Sequence, residues 1–364
     1  MNMPAIPGKS QIMNRNILNG EATILEALGR LNELSGSSMT LFVVDGEGVM
    51  LGTLTDGDIR RGLLDGLSLD APAREAVHNR FKALKPTDDE NQVALLRSYR
   101  EQGITLVPRL DPSGRIEEII DMKRTRNKLP ITAILMAGGK GERLRPLTLT
   151  CPKPLLEIEG KAIIDYNIEA LATVGVKNIS VTTRYLAEQI AAHFEKPVAG
   201  VEVKCVEETA PLGTIGSAAL VERPAEGDTL VMNSDLITSI SFEDLYLRHK
   251  DTEADITIAV VPYQVAVPFA ILDLDGERVT GLKEKPLYSY YANAGIYIFN
   301  NKVLNTLSAD ERTDATDLIE RTIAAGGKVT YYPIKGTWID VGSPVDFKQA
   351  AELMRHHKSL ITKD

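Results

Sequence analysis

The chain has 364 residues, enough for two or three domains of ordinary size, and its 43% hydrophobic and 25% charged content is that of a globular protein. A net charge of −9 argues against nucleic acid as the main partner, and anionic substrates must therefore be drawn in by local positive charge. Two cysteines make no disulfide framework, five histidines lie in no metal-ligand spacing, and neither a transmembrane-length apolar run nor a signal-peptide core is present, so a cytoplasmic protein with no membrane partner is expected.

Residues 1–121 read as two tandem α/β modules, 14–66 and 70–121. Ala22 to Leu34 has helical apolar spacing, Met39 to Val44 reads as a strand, Asp45-Gly46-Glu47-Gly48 as a hairpin turn and Val49 to Leu54 as the return strand. About 65 residues on, the pattern recurs: a helix over Val93 to Arg100, a strand over Thr105 to Arg109, a turn at Asp111-Pro112-Ser113-Gly114 and a return strand over Ile116 to Ile120. The first module closes on Gly52-Thr53-Leu54-Thr55-Asp56-Gly57-Asp58, where Asp56-Gly57 is suited to a turn and Asp58 to capping the following helix. Residues 122–130 are basic and poor in apolar side chains, which suits a linker, and 131–364 form a further domain.

That domain opens with the apolar run Ile131 to Ala137, long enough for one buried strand, followed by Gly138-Gly139-Lys140-Gly141. Glycines after a strand let the backbone turn sharply and bring its N–H groups to an anion, and Arg143 and Lys153 add fixed positive charge. Spacing excludes two other phosphate loops. Lys140 is followed by Gly141 rather than Ser or Thr, and the position three after Gly141 is Leu144 rather than a small residue.

Helices over Ile163 to Ala172, Leu186 to Phe194 and Ser217 to Val221 alternate with strands over Asn178 to Thr182, Val201 to Val206 and Thr229 to Met232, which implies a parallel sheet covered on both faces. The second half is richer in strands: Asp255 to Val261, Phe269 to Leu274, Arg278 to Leu282 and Gly295 to Phe299. Val231-Met232-Asn233-Ser234-Asp235 is an apolar strand ending in an acid, and ligands of open α/β sheets collect at the carboxyl ends of strands. A second acid stands in Trp338-Ile339-Asp340-Val341-Gly342-Ser343-Pro344; two carboxylates with phosphate oxygens suit Mg²⁺, and the Trp is expected to pack locally.

The string from Leu135 through Gly-Gly-x-Gly-x-Arg to Pro152-Lys153-Pro154, with the segments just described, resembles the CBS-domain-containing sugar-1-phosphate nucleotidyltransferases, and in motif style the mannose-1-phosphate guanylyltransferase group. The resemblance implies an α/β fold: an N-terminal tandem CBS pair and a Rossmann-like, GT-A-type nucleotidyltransferase domain with a mixed sheet. It implies an enzyme that transfers a nucleoside monophosphate from an NTP to a sugar-1-phosphate with release of pyrophosphate. Arg143, Lys153 and Asp235 would be catalytic, and Asp235 and Asp340 would hold Mg²⁺. Nucleotide contacts would come from Leu135, Ala137, Gly138, Gly139, Gly141, Glu208, Pro211, Leu212, Gly213 and Thr214, with the Pro-Leu-Gly-Thr stretch across the base. Glu284 and Lys285, with Asn293 and Gly295, would form the sugar-phosphate pocket. GTP is favoured, with UTP, dTTP and CTP open, and either mannose-1-phosphate or glucosamine-1-phosphate suits the group.

By the same resemblance Thr55, Asp56 and Asp58 match a CBS ribose-phosphate site for an adenine or other purine nucleotide. The second module has Glu118-Ile119-Ile120-Asp121 in that place, so at most one such site keeps its usual residues, and a homodimer or higher homo-oligomer is expected. The rival reading is a non-catalytic sensor of a sugar nucleotide and an adenine nucleotide.

Overall fold

The computed structural model describes residues 15–34, 38–88, 91–123 and 129–361, with side chains to 356. The chain forms two compact units, Met1–Lys128 and Leu129–Asp364. The expected linker falls largely on 124–128, outside the described residues.

In the first unit β1 (Ile17–Asn19), α1 (Ile24–Glu33), β2 (Leu41–Val44) and β3 (Met50–Leu54) form a three-stranded sheet with β1 parallel to β2 and β3 antiparallel to it. α1 starts where Thr23 and Glu26 exchange side-chain and backbone bonds in a capping box, and it buries Ile24, Ala27 and Leu31 on one face. The hairpin turns because Asp45 Oδ1 accepts from the amides of Glu47 and Val49, both at 2.9 Å. The second half repeats this plan. α3 (Gln92–Glu101) follows α2 (Asp56–Leu64) in the chain, and β4 (Leu106–Leu110) pairs antiparallel with β5 (Ile116–Asp121). Asp111 Oδ1 accepts from Ser113 and Arg115 at 2.8 Å, and Leu84 bridges Arg109 in parallel, as β1 does β2.

One expectation needs correcting. The N-cap of α2 is Thr55, not Asp58. Asp58 is the third helical residue, whose carboxylate accepts from the Thr55 amide at 2.9 Å and hydroxyl at 2.6 Å. A Ser/Thr followed three places on by an acid is the reciprocal arrangement, which satisfies two otherwise orphaned donors.

The second unit is built on a seven-stranded sheet. Its strands are β6 (Ile131–Ala137), β7 (Asn178–Thr183), β8 (Val203–Glu207), β9 (Asp228–Asn233), β11 (Ile256–Ala266), β14 (Leu287–Asn300) and β15 (Val329–Pro333). The order is β8-β7-β6-β9-β14-β11-β15. The first four are mutually parallel and β14 runs antiparallel to both its neighbours, so the sheet is mixed, as expected. β6 lies at the centre of the parallel part, which is why Ile131–Ala137 is apolar throughout rather than alternating. Helices α4 (Ile163–Thr173), α5 (Ala187–His193), α6 (Phe242–Asp251), α7 (Ala315–Ala324) and α8 (Pro344–Ile361) accompany the sheet. Two short strands, β10 (Leu236–Thr238) and β16 (Trp338–Asp340), pair with each other outside it, and β12 (Ile271–Asp275) and β13 (Arg278–Lys283) form a separate hairpin.

Sequence pattern missed α6, α7, β15 and α8, and it cut two strands short: β11 continues to Ala266 and β14 begins at Leu287. Ser217 to Val221 folds as a turn of 3-10 helix over Gly216–Leu220. The core joins Ile134, Val231, Ile256 and Phe299 of the sheet to Leu318 and Ile319 of α7. Phe299→Ala removes a ring from a fully buried site and is expected to destabilise the second unit by about 3–5 kcal/mol. Leu64→Ala on the exposed face of α2 is expected to stay within about 0.5 kcal/mol. Denaturant titration followed separately for the two units checks both.

Candidate active site

The carboxyl ends of β6, β7, β8 and β9 open on a cavity of about 590 Å³. Its floor is the turn after β6. Gly141 has a left-handed φ of 60°, and a Cβ there would come within 2.9 Å of Thr148 Cγ2 and 3.1 Å of Lys153 Cβ. Thr148 is fully buried and its hydroxyl donates to the Gly141 carbonyl at 2.8 Å, which ties the glycine turn to the segment carrying Lys153. The spacing of the long motif thus has a local cause: glycine, threonine and lysine pack on one another.

Lys153 begins a short 3-10 turn after Pro152 and is only 8% exposed. Its ammonium donates to Asp235 Oδ2 and lies 3.4 Å from Asp340 Oδ1. Asp235 follows β9; Asp340 ends β16 and pairs with Leu236 across the small sheet, so two acids far apart in sequence become neighbours. Burial and the Asp235 charge push the Asp340 carboxyl above its ordinary range, against the pull of Lys153.

Asp235 Oδ1 is buried without a hydrogen-bond partner. A buried carboxylate oxygen is rarely left so, and with Asp340 beside it the pair offers hard oxygen donors to a Mg²⁺ ion. Among the described residues no cluster of three or more His, Cys, Asp or Glu side chains is placed to hold a metal. The donor set therefore fits a cation that takes its remaining ligands from phosphate and water, as Mg²⁺ does.

Arg143 rests on Gly342: a Cβ there would sit 3.0 Å from its guanidinium. This is the close approach that the Asp-Val-Gly-Ser-Pro segment provides. Ser343 Oγ meanwhile accepts from the Asp346 amide at 3.3 Å at the start of α8, and Pro344 occupies the first turn.

Glu208 is buried beside Gly138, where a Cβ would meet its carboxylate at 2.8 Å. Burial pushes its carboxyl up, opposed by bonds from the Leu212 amide and Ser217 hydroxyl and by the Arg184 charge. The Pro211–Thr214 segment is pinned from the far side of the chain. The Thr214 amide donates to Asp314 at 2.9 Å, the Ala315 amide donates to Thr214 Oγ1 at 2.8 Å, and Gly213, at φ 83°, presses against the Thr313 carbonyl where no Cβ fits.

Of the expected residues, Ala137, Gly138, Gly139, Gly141, Arg143, Lys153, Glu208, Pro211, Leu212, Gly213, Thr214 and Asp235 line this cavity. Leu135 does not: it is fully buried in β6, and Met136 lines the cavity with Ala137. Asp340 borders an adjoining pocket that it shares with Arg143 and Gly342. Glu284 and Lys285 are exposed in the β13–β14 turn and line neither. Asn293 and Gly295 also stand off, but Gly295 (φ 68°) makes room for Asn233, whose amide would lie 2.5 Å from a Cβ there, and Asn233 does line the cavity. Trp338 packs locally, donating to the Ala294 carbonyl at 2.9 Å. In the first unit, Asp58 is engaged by Thr55 and by Arg61 at 2.6 Å, and Asp56 by Arg60.

Sequence reading missed Arg184, Asn233, Ser234, Arg312 and Asp314 in the lining. Arg184 follows β7 directly, so the strand-end rule that found Asp235 also applies to it. Arg312 and Asp314 belong to no motif.

A mixed α/β sheet with a glycine turn, an acid at a strand end and a lysine between two carboxylates defines a nucleotide-phosphate-handling protein. The nucleotidyl transferase family model matches residues 132–357, and the chain belongs to that family. It is 35% identical over 224 residues to the mannose-1-phosphate guanylyltransferase catalytic subunit beta of Dictyostelium discoideum, covering 59% of this chain and 62% of that one. It is 34% identical over 228 residues to a mannose-1-phosphate guanyltransferase of Gibberella zeae, covering 59% and 61%. The matched region thus spans less than two thirds of these relatives' length. A Bacillus anthracis crystal structure assigned as a glucose-1-phosphate thymidylyltransferase superposes with a TM-score of 0.50 at 22% identity, over 62% of this chain and 95% of that one, and so shares the fold. Among the described residues no helix is long and apolar enough to cross a membrane.

Replacing Lys153 by Met removes the cation that lowers the Asp340 pKa and leaves the Asp235 repulsion in place. The expected outcome is a further upward shift of the Asp340 titration, followed by NMR of labelled aspartate carboxyls; an unchanged titration would show that Lys153 does not couple to the pair.

Proposed function

We propose that the chain is a sugar-1-phosphate nucleotidyltransferase that joins the nucleoside monophosphate of an NTP to a sugar-1-phosphate and releases pyrophosphate. The observation that carries this reading is Lys153 held between Asp235 and Asp340 at the edge of the glycine turn. A sugar phosphate is already largely dianionic at neutral pH, its second pKa lying near 6. Its oxygen attacks the α-phosphorus while the bond to the bridging oxygen of pyrophosphate breaks, and no proton need be removed.

The chain's residues then align and neutralise. The amides of Gly138 to Gly141 and the Arg143 guanidinium hold the departing pyrophosphate. Lys153 turns from Asp235 to the α-phosphoryl oxygens, where charge builds in the transition state. Asp235 and Asp340 would hold Mg²⁺, which supplies positive charge against the phosphates. Lys285, with Glu284, Asn293 and Gly295, is assigned to the sugar phosphate on resemblance alone.

GTP is the proposed nucleotide. Guanine presents adjacent N–H donors on its Watson–Crick edge, and the buried Glu208 carboxylate, an acceptor when ionised, lies beside the Leu212–Thr214 stretch proposed for the base. The guanylyl-transferring relatives favour the same base. The first unit is proposed to be a tandem CBS pair, a reading favoured by its twin Asp-capped hairpins; the purine-nucleotide role of Thr55, Asp56 and Asp58 rests on resemblance.

Pyrophosphate release from a grid of NTPs and sugar phosphates, mannose-1-phosphate and glucosamine-1-phosphate included, tests the whole reading. Absence of release with every pair would leave a non-catalytic sensor. Asp235→Ala and Asp340→Ala are each expected to lower kcat/KM by roughly 1000-fold with folding intact. Lys153→Ala is expected to lower kcat more than it raises the KM for NTP. Glu208→Gln replaces an acceptor with a donor facing guanine N–H groups and is expected to weaken GTP by about 1–3 kcal/mol, with other NTPs little affected. Because the Glu208 pKa is raised and its ionised form is the acceptor, GTP affinity is expected to be full above that pKa and to fall as pH drops through it. A GTP KM that stays flat across acid pH would remove Glu208 from base recognition.

A further inference from the structure

Past the edge of the seven-stranded sheet, two strands continue alone. β15 pairs with β11 only over Ile256–Val260, and β9 pairs with β14 only over Ile296–Asn300. Beyond these, residues 261–266 of β11 pair with 287–292 of β14 and with no other strand in the sheet. The register sets Val261 against Ala292, Tyr263 against Tyr290 and Val265 against Tyr288. Directly opposed residues of an antiparallel pair share a face, so one face of this ribbon is apolar and aromatic without a single charge. The β12–β13 hairpin follows the same rule. Leu272 faces Leu282 and Leu274 faces Val279 on one side, while on the other Lys283 is paired with Asp273 at 3.1 Å.

Neither apolar face is covered within the chain. Tyr263 is 60% exposed, Tyr290 58%, Leu274 62% and Leu282 60%, and Phe269 between the ribbon and the hairpin is 73% exposed. A two-stranded ribbon is marginal in water by itself. A buried aromatic side chain removes about 150–250 Å² from water, so these rings and the four hairpin aliphatics together expose on the order of 800 Å². That exceeds the roughly 300–600 Å² of the largest patch on an ordinary monomer and equals one partner's share of a standard interface, about 800 Å².

We infer that the arm formed by residues 261–292 is the contact through which two copies of this chain associate. The faces hold no charge for an ionic partner to complement, so what fits them is another uncharged sheet face. The arm itself supplies one of matching length and composition, and a two-fold axis places each copy's face on the other's. The area is that of a stable dimer. The paired Lys283 and Asp273 keep the reverse side of the hairpin polar, so pairing stops at two copies.

Sedimentation equilibrium of the full chain tests this, with Tyr290→Lys and Leu282→Lys as variants at positions exposed enough to leave folding undisturbed. Leu64→Lys, on the 82% exposed Leu64 of the first unit, is the control. The wild type and control are expected to associate alike, and each arm variant to raise the dissociation constant about 30-fold or more, as loss of a central interface anchor does. A wild type that stays monomeric, arm variants that associate as the wild type does, or a control as weakened as the arm variants would each overturn the inference. Hydrogen exchange on the wild type gives a reading independent of any variant. Amides of residues 261–292 gain protection as concentration rises if the arm is the contact, and unchanged exchange across the association overturns it.

Discussion

One ammonium group between two carboxylates is the constraint on which the second unit's site depends. Without Lys153, Asp235 and Asp340 would repel each other in a partly buried setting, and at least one would have to take up a proton. The geometry that prevents this is distributed. Pro152 starts the turn that points Lys153 inward, Gly141 gives it room, Thr148 holds Gly141, and β10 pairs with β16 to bring the acids together. A group already surrounded by the charges it must exchange is preorganised, which is where catalysis of phosphate transfer mostly lies.

Much of this site was legible because its chemistry is local in sequence. β6 announces itself by seven apolar residues, and the glycine turn follows at once. Asp235 was found because an acid after an apolar strand has one place to be in an open α/β sheet. Long-range placement was harder to read. Asp314 meets Thr214 across 100 residues, and nothing near Arg312 or Asp314 marks them. Leu135 was misplaced because a strand buried on both faces has no alternation to say which side chains reach its mouth. The outer half of β11, with Pro262 and Gln264 among apolar residues, looks like the end of a strand, and only the register with β14 shows that it continues. In the first unit the reciprocal box of Thr55 and Asp58 was available in the spacing, but a bare preference for Asp at caps assigned the role to the wrong partner.

Three glycines do related work at three distances from the chemistry. Gly342 lies under Arg143, Gly295 under Asn233 and Gly213 against the Thr313 carbonyl. In each case a functional segment approaches another so closely that a methyl group has no space. Motif glycines here therefore record contacts between segments distant in the chain, and a turn residue elsewhere is free of that demand.

The pairing of β10 with β16 also orders events during synthesis. Every strand of the seven-stranded sheet has left the ribosome once Pro333 is made, yet Asp340 and Gly342 follow it. A nascent or nicked chain ending before them has the glycine turn, Lys153 and Asp235, but neither the second carboxylate nor the glycine beneath Arg143. Its triphosphate cradle is assembled while the acid pair is not. Competence arrives with the last short strand, so an incomplete chain is held inactive by the order in which its parts are translated.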